Sequence, residues 1–320
     1  MSASRILSEK GMHHGRPVNS FCVDLEEWFH ICGVPTVYQD PSTWDDAPAH
    51  VVEDTRLLMQ MLDEAGAKGT FLTVGWVCEK YPDLIRELAD AGHEIGCHTY
   101  FHRLVFSQTP EEFEADISRC VKVLREVSGQ PVTAFRAPGF SMKRSCFWAY
   151  EILRRHGLTV DVSIVPAQRD HGGVDGFTRN PFLLHTSEGD VRCIPVPVMK
   201  VGPRTIPFSG GGYLRLFPRW LIYRGYEQNH RDGRPGMSYI HPREINPEQP
   251  RLELPWKKGF KYYVNLASTE GKLRDCLKRY RFTTIAEVVD AVTEWPEYRL
   301  ANGEIVPVMP NTGARSDQAA

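Results

Sequence analysis

The stretch HVVEDTRLLMQMLDEAGAKGTFLTVG, residues 50–75, contains two different hydrophobic patterns in succession. Leu58, Met61 and Leu62 fall at helical spacing, and Gly66 ends that pattern. The apolar run in KGTFLTVG that follows is typical of a buried strand. The stretch therefore predicts a helix that leads directly into a strand, which is the repeating unit of a parallel α/β sheet.

The same alternation continues on both sides of this stretch. A strand is predicted before it at Asn19–Val23, and a helix in YPDLIRELADAG and a strand in HEIGCH follow it. Further predicted elements are a helix at about 110–128, the strand VTAFRAPG, a helix at about 144–156, the strand TVDVSIV, the strand MSYIHP and two helices after it. This order favours parallel strands with crossover helices, either as an open doubly wound sheet or as a barrel.

Composition and charge exclude several classes of protein. The 320 residues are 42% hydrophobic and 24% charged, with a net charge of -2, so no global field attracts nucleic acid or an anionic membrane. The first twenty residues lack a signal-peptide pattern, and no run approaches the length of a membrane span, so we expect a cytoplasmic protein without stable membrane insertion. The eight cysteines form no CxxC pair, which predicts reduced thiols and no thiolate zinc site.

Polar residues follow several predicted strands at the point where each strand ends. They are Asp24 and Glu26, His98 and His102, Arg136, Asp161, and His241. The carboxyl ends of parallel strands converge on one face, where functional groups gather. Alone, two histidines four residues apart are more often exposed or capping residues. Combined with one carboxylate, they provide the three-ligand set of a hydrolytic metal centre and leave a second carboxylate as a base.

Five segments, VDLEEWFH, HEIGCHTYFH, FRAPGFS, VDVSIVP and YIHP, resemble in order and spacing the five motifs of the polysaccharide deacetylase family. This family is also called carbohydrate esterase family 4 or the NodB homology domain, and the details are most similar to its branch in exopolysaccharide loci with exosortase and PEP-CTERM proteins. The resemblance implies an α/β fold, a distorted (β/α) barrel of about seven strands that holds a divalent metal. It divides the chain into a polar leader at 1–18, a catalytic barrel at 19–245, a C-terminal extension packed on the barrel at 246–300 and a flexible tail at 301–320.

The resemblance also assigns roles to the metal centre. It implies that His98 and His102 are metal ligands and that Arg136 keeps the base carboxylate ionised and oriented. The first motif departs from the common pair of adjacent aspartates, because Leu25 follows Asp24 and Glu26 is the next acid. We assign Asp24 as the base and Glu26 as the third ligand, and the reverse assignment stays open.

On the substrate side, the resemblance makes His241 the general acid and Asp161 the carboxylate that orients and charges it. Ile240 is expected to line the pocket for the acetyl methyl group, and Phe140 is assigned to substrate binding. Trp28 is a candidate platform for a sugar ring, because an apolar ring beside polar catalysts suits a pyranose face. SGGGY at 209–213 is interpreted as a flexible turn, with a substrate-facing loop as the less favoured alternative. WKKGFKYY at 256–263 is interpreted as a cover of the barrel, with stacking on sugars as the alternative.

These assignments predict a metal-dependent hydrolase that removes N-acetyl groups from amino sugars of an exopolysaccharide or a lipid-linked precursor. Zinc suits the ligands best, and nickel or cobalt also accept two imidazoles and a carboxylate. Two alternatives stay open. One is the same fold and metal acting on a small amide or a cyclic ureide, and the other is a carbohydrate-binding barrel without turnover.

Overall fold

The predicted first strand of the barrel, Asn19–Val23, is present as part of a strand at Asn19–Leu25 and lies inside the main sheet.

The computed structural model describes residues 6–34, 36–169 and 172–309. Its strands, in chain order, are β1 Met12–His13, β2 Arg16–Pro17, β3 Asn19–Leu25, β4 Thr70–Thr73, β5 Glu94–Cys97, β6 Ala134–Phe135, β7 Val160–Asp161, β8 Phe182–Thr186, β9 Gly189–Cys193, β10 Val198–Val201, β11 Arg204–Pro207, β12 Met237–Ile240, β13 Phe282–Thr283, β14 Glu297–Ala301 and β15 Glu304–Pro307.

The helices follow the predicted alternation with the strands. In chain order they are α1 Val51–Glu64, α2 Gly75–Lys80, α3 Pro82–Asp90, α4 Pro110–Ser128, α5 Ala149–Arg155, α6 Gly211–Leu216, α7 Arg219–Arg231, α8 Trp256–Tyr263, α9 Thr269–Arg279 and α10 Ile285–Ala291. None of the helices in the described ranges is both long and apolar enough to cross a membrane.

The main sheet confirms the predicted α/β fold. The strands β12, β3, β4, β5, β6, β7 and β9 are neighbours in this order, and every adjacent pair among them is parallel. The sheet continues through β8, β14 and β15, and β13 pairs in parallel with β3. The parallel strands bring the ends of β3, β5, β6 and β12 to one edge, which is the edge where the candidate site lies.

Helix α4 occupies the residues predicted for it because both of its ends carry strong local signals. The Thr109 hydroxyl accepts a hydrogen bond from the Glu112 N–H at 3.2 Å, and the Glu112 carboxylate accepts one from the Thr109 N–H at 2.9 Å. Gly129 ends the helix in the left-handed region, at φ 67°. The helix packs against β5 and so supports the loop that follows this strand.

The C-terminal segment differs from the predicted flexible tail at 301–320. Strands β14 and β15 form a hairpin whose turn is Asn302–Gly303, with φ values of 51° and 77°. An Asn-Gly pair between two strands is a strong hairpin signal, and Ile305 of the second strand is buried. The remainder of the predicted tail, 310–320, lies outside the described residues, as do positions 1–5 of the predicted polar leader.

Candidate active site

Two buried carboxylates lie at the end of β3 and point to the same side of the sheet. Successive side chains of a strand alternate between its faces, so Asp24 and Glu26 share one face while Leu25 packs into the core on the other. Both acids are almost completely inaccessible to solvent. A buried carboxylate needs a compensating partner, and the two acids have different ones.

Glu26 lies in a cluster with His98 and His102. One ligand atom from each of the three lies within 4.8 Å of the others. The Oε2 atom of Glu26 is 2.6 Å from Nε2 of His102. Two imidazoles and one buried carboxylate that converge in this way are a typical donor set for a divalent cation.

The two histidines belong to a tight loop after β5. Asp116 of helix α4 anchors this loop, because its carboxylate accepts hydrogen bonds from the backbone N–H groups of Tyr100 at 2.5 Å and Phe101 at 3.0 Å. His102 adopts a positive φ of 53° at the end of the loop. The helix thereby fixes the short segment that carries both imidazoles.

Arg136 connects the metal cluster to the predicted base. Nδ1 of His98 lies 2.7 Å from the backbone carbonyl oxygen of Arg136, a contact in which the ring donates and leaves Nε2 free as a ligand. The guanidinium of Arg136 is fully buried, and its Nη1 lies 2.5 Å from Oδ1 of Asp24. Burial lowers the pKa of His98 to about 4, which favours the neutral form that binds a metal.

His241 lies beside Asp24 and Glu26 in the lining of the same cavity. Its Nε2 is 3.8 Å from Oδ2 of Asp24 and 3.6 Å from Oε1 of Glu26. Its Nδ1 is 2.8 Å from Oε2 of Glu244, and Glu244 also forms a buried ion pair with Arg215. Burial acts to lower the pKa of His241, but the charges of Glu26 and Glu244 outweigh it and raise that pKa above its usual value.

Asp161 does not occupy the position predicted for it. Its carboxylate accepts hydrogen bonds from the Tyr150 hydroxyl at 2.9 Å and from the backbone N–H of Ser163 at 3.2 Å. Burial raises the pKa of Asp161 to about 6. Glu244 is the carboxylate that contacts His241, so the predicted pairing of Asp161 with His241 is wrong.

A cavity of about 320 Å³ opens over these groups and is lined by Asp24, Glu26, His102 and His241. This volume lies within the range of small-molecule sites. Phe140 lines the cavity, as predicted for a substrate-binding residue.

Two other predicted substrate contacts are corrected by the structure. Trp28 is buried in an aromatic cluster with Phe29 and Trp44, and its indole N–H donates to the carbonyl of Pro48 at 2.9 Å. Ile240 points into the core, because it alternates with Tyr239 along β12, and Tyr239 is the residue that lines the cavity.

The sequence interpretation also missed parts of the wall that come from distant segments. Gly211, Gly212 and Tyr213 of the segment interpreted as a flexible turn line the cavity. Phe260 and Tyr262 of α8, the segment interpreted as a cover, line it as well. A mixture of aromatic and basic residues was the available signal in α8, but no local pattern shows that a helix reaches a cavity far away in sequence.

The fold and the site define an α/β protein with a candidate metal site formed by one buried carboxylate and two histidines. More particularly, residues 41–160 match the family model described as polysaccharide deacetylase. Residues 162–290 match a second model, described as a domain of unknown function, DUF3473.

Relatives with assigned functions match parts of the chain. A peptidoglycan-N-acetylglucosamine deacetylase of Bacillus cereus is 29% identical over 154 residues, which cover 46% of this chain and 55% of that protein. A chitooligosaccharide deacetylase of Azorhizobium caulinodans is 36% identical over 97 residues, 30% of this chain and 45% of that protein. The chain thus spans about half the length of these relatives.

A solved structure matches over nearly the whole chain. It belongs to a Mycobacterium smegmatis protein assigned as a polysaccharide deacetylase, with a TM-score of 0.60 and 19% identity over 91% of this chain and 94% of that one. At this level of identity the similarity supports the fold alone.

Proposed function

We propose that the protein is a metal-dependent hydrolase that removes N-acetyl groups from amino sugars of a polysaccharide or a lipid-linked saccharide precursor. One observation carries the proposal: Asp24 and His241 face each other at 3.8 Å, beside the Glu26, His98 and His102 cluster and within one cavity. A base and an acid that line one small cavity beside a metal site suit the hydrolysis of an amide bond.

Each residue then has a defined task. A divalent metal held by Glu26, His98 and His102 would acidify water and polarise the acetamide carbonyl. Asp24 accepts a proton from the attacking water, whose oxygen bonds to the carbonyl carbon, and the buried ion pair with Arg136 holds this carboxylate in position.

The second half of the reaction concerns the leaving amine. As the C–N bond breaks, the nitrogen takes a proton from Nε2 of His241, and acetate and a free amino sugar result. Glu244 accepts the hydrogen bond from Nδ1 of His241 and so presents Nε2 to the cavity. Without such a donor, an alkyl amine is a poor leaving group.

The names of the relatives support a carbohydrate substrate, because they act on peptidoglycan and on chitooligosaccharide. Zinc is the metal that we propose, since two imidazoles and one carboxylate with open positions are typical of catalytic zinc sites, and nickel or cobalt could replace it. A role in exopolysaccharide assembly and a cytoplasmic location remain predictions from the sequence.

The test is metal analysis of purified protein, combined with a product assay. We expect about one divalent ion per chain and acetate release from N-acetylated oligosaccharides. Ammonia release from cyclic ureides without acetate release would favour the alternative substrate class. Saccharide binding with neither metal nor turnover would favour a carbohydrate-binding barrel.

A further inference from the structure

Arg243 carries a buried positive charge whose hydrogen bonds are incomplete. The side chain is 3% exposed and lines the catalytic cavity. Its Nε and Nη1 groups have no hydrogen-bond partner within 6–34, 36–169 and 172–309, and the nearest carboxylate oxygen, Oε1 of Glu26, is 3.9 Å from Nε. A buried guanidinium whose hydrogen bonds are incomplete is costly, and the position of Arg243 in the cavity lining allows a bound molecule to supply the missing acceptor.

The acids around the cavity have other partners. Asp24 pairs with Arg136, and Glu244 pairs with Arg215 and His241. Glu26 belongs to the candidate metal set, where a divalent ion would neutralise its charge. Once the metal centre is complete, the charge of Arg243 is therefore left for the substrate.

A second arginine, Arg169, lines the same cavity from another segment. Its Nη1 is buried and has no partner in the described part of the chain. Its guanidinium carbon lies 4.9 Å from the centre of the Phe140 ring, and that of Arg243 lies 5.2 Å from the centre of the Tyr262 ring. An arginine held against an aromatic face keeps the edge of its planar fork available for hydrogen bonds, the geometry that recognises carboxylates and phosphates.

We propose that the substrate is an acidic N-acetylated saccharide, in which a carboxylate or phosphate lies close to the acetamido sugar and is bound by Arg243 and Arg169. This inference rests on the proposed deacetylase function and narrows its substrate class. Neutral chitin-like chains offer only uncharged hydroxyl and carbonyl acceptors and would leave the positive charges of both guanidinium groups uncompensated. A sugar acid or a sugar phosphate satisfies them.

The experiment uses matched pairs of ligands that differ only in charge. One pair is a tetrasaccharide of alternating N-acetylglucosamine and glucuronic acid and its carboxyl-reduced counterpart. The other pair is N-acetylglucosamine 1-phosphate and N-acetylglucosamine, so the two pairs distinguish the carboxylate from the phosphate. Dissociation constants are measured by calorimetry on zinc-supplied Asp24→Asn protein, which turns over slowly, and acetate release is measured on the wild-type enzyme.

We expect the acidic member of at least one pair to bind at least tenfold more tightly, a factor within the range of one charge-assisted hydrogen bond. Arg243→Gln in the same background should remove most of this preference, and Arg169→Gln should reduce it. Arg224→Gln, which changes an exposed arginine outside the cavity lining, should leave it intact. Thermal unfolding of Arg243→Gln is measured alongside, to check that the variant is folded at the temperature of the binding assay.

Equal binding of the charged and neutral members of both pairs would overturn the inference. So would an Arg243→Gln variant that loses the same factor in acetate release on acidic and neutral substrates, because that pattern indicates stabilisation of the reacting carbonyl instead. Charge-selective binding without acetate release from any substrate would uphold the acidic-ligand inference and reject the deacetylase function.

Discussion

Glu244 holds His241 through two hydrogen bonds to one carboxylate oxygen, from Nδ1 at 2.8 Å and from the backbone N–H at 3.0 Å. The 3₁₀ turn Pro242–Ile245 follows His241 directly and brings Glu244 back to contact it. The residue that orients the proposed acid is thus local in sequence. It replaces the more distant Asp161, which the family resemblance implied.

This relationship predicts different pH profiles for two conservative changes. His241 must be protonated to act as an acid, so the rate falls as pH rises through its pKa. The charge of Glu244 helps to raise that pKa, and Glu244→Gln should therefore move the alkaline fall to lower pH by about one unit. Asp161→Asn should leave the position of this fall unchanged. A shift of the alkaline fall in Asp161→Asn but not in Glu244→Gln would restore Asp161 as the partner. Melting temperatures of both variants show whether loss of the buried ion pair between Glu244 and Arg215 destabilises the fold.

His241→Ala should affect substrates according to their leaving groups. For alkyl amides we expect a loss of about 10²–10⁴-fold in kcat, the usual contribution of a general acid. The rate on esters, or on amides with activated leaving groups, should change little, because these leaving groups depart without taking up a proton. A histidine with only a structural role would slow both kinds of substrate equally, and that outcome would leave the amine without an identified donor.

Substitution of the two carboxylates at the end of β3, Asp24 and Glu26, should have different effects on metal binding and on rate. Asp24→Asn should retain the metal and lose most of the rate, because it removes the base. Glu26→Gln should weaken metal binding and recover part of its activity in excess zinc. Metal titration and initial rates on both variants distinguish the roles, and the opposite pattern would exchange them.

Asp116 should influence the affinity of the site for its metal, although Asp116 does not line the cavity. Asp116→Asn leaves the N–H of Tyr100 or that of Phe101 without its acceptor and loosens the loop that carries His98 and His102. We expect metal affinity to fall by about 10–100-fold, with near-normal kcat at saturating metal. Glu112→Gln on the same helix is the matched control and should leave metal affinity unchanged. If both variants bind metal like the wild type, the loop does not depend on Asp116.

Much of the fold could be predicted because its signals are local. Helix α4 carries a capping box at Thr109 and a glycine at its end, and both bounds of this helix were predictable from them. The Asn302–Gly303 hairpin had an equally local signal, which the prediction of a flexible tail from residue 301 overlooked.

The site was predictable where motifs fall at strand ends, as for Glu26, His98 and His102, which the structure brings together. The assignment of Ile240 contradicted strand alternation, since a residue next to His241 in an extended segment points to the other face. Glu244 could have been found from the segment HPRE, in which proline opens a turn and an acid follows three residues after the histidine. The residues of α6 and α8 that line the cavity reach it through tertiary packing, which no local sequence pattern predicts.

The most direct test of the account is acetate release from an N-acetylated oligosaccharide by metal-stripped protein, before and after zinc is restored. The proposed site predicts no measurable release from the stripped wild-type protein and full recovery at about one zinc per chain, with no such recovery at that level in His98→Ala. A rate that is unaffected by stripping, or a His98→Ala protein that recovers fully at one equivalent of zinc, would contradict a metal-dependent deacetylase at this site.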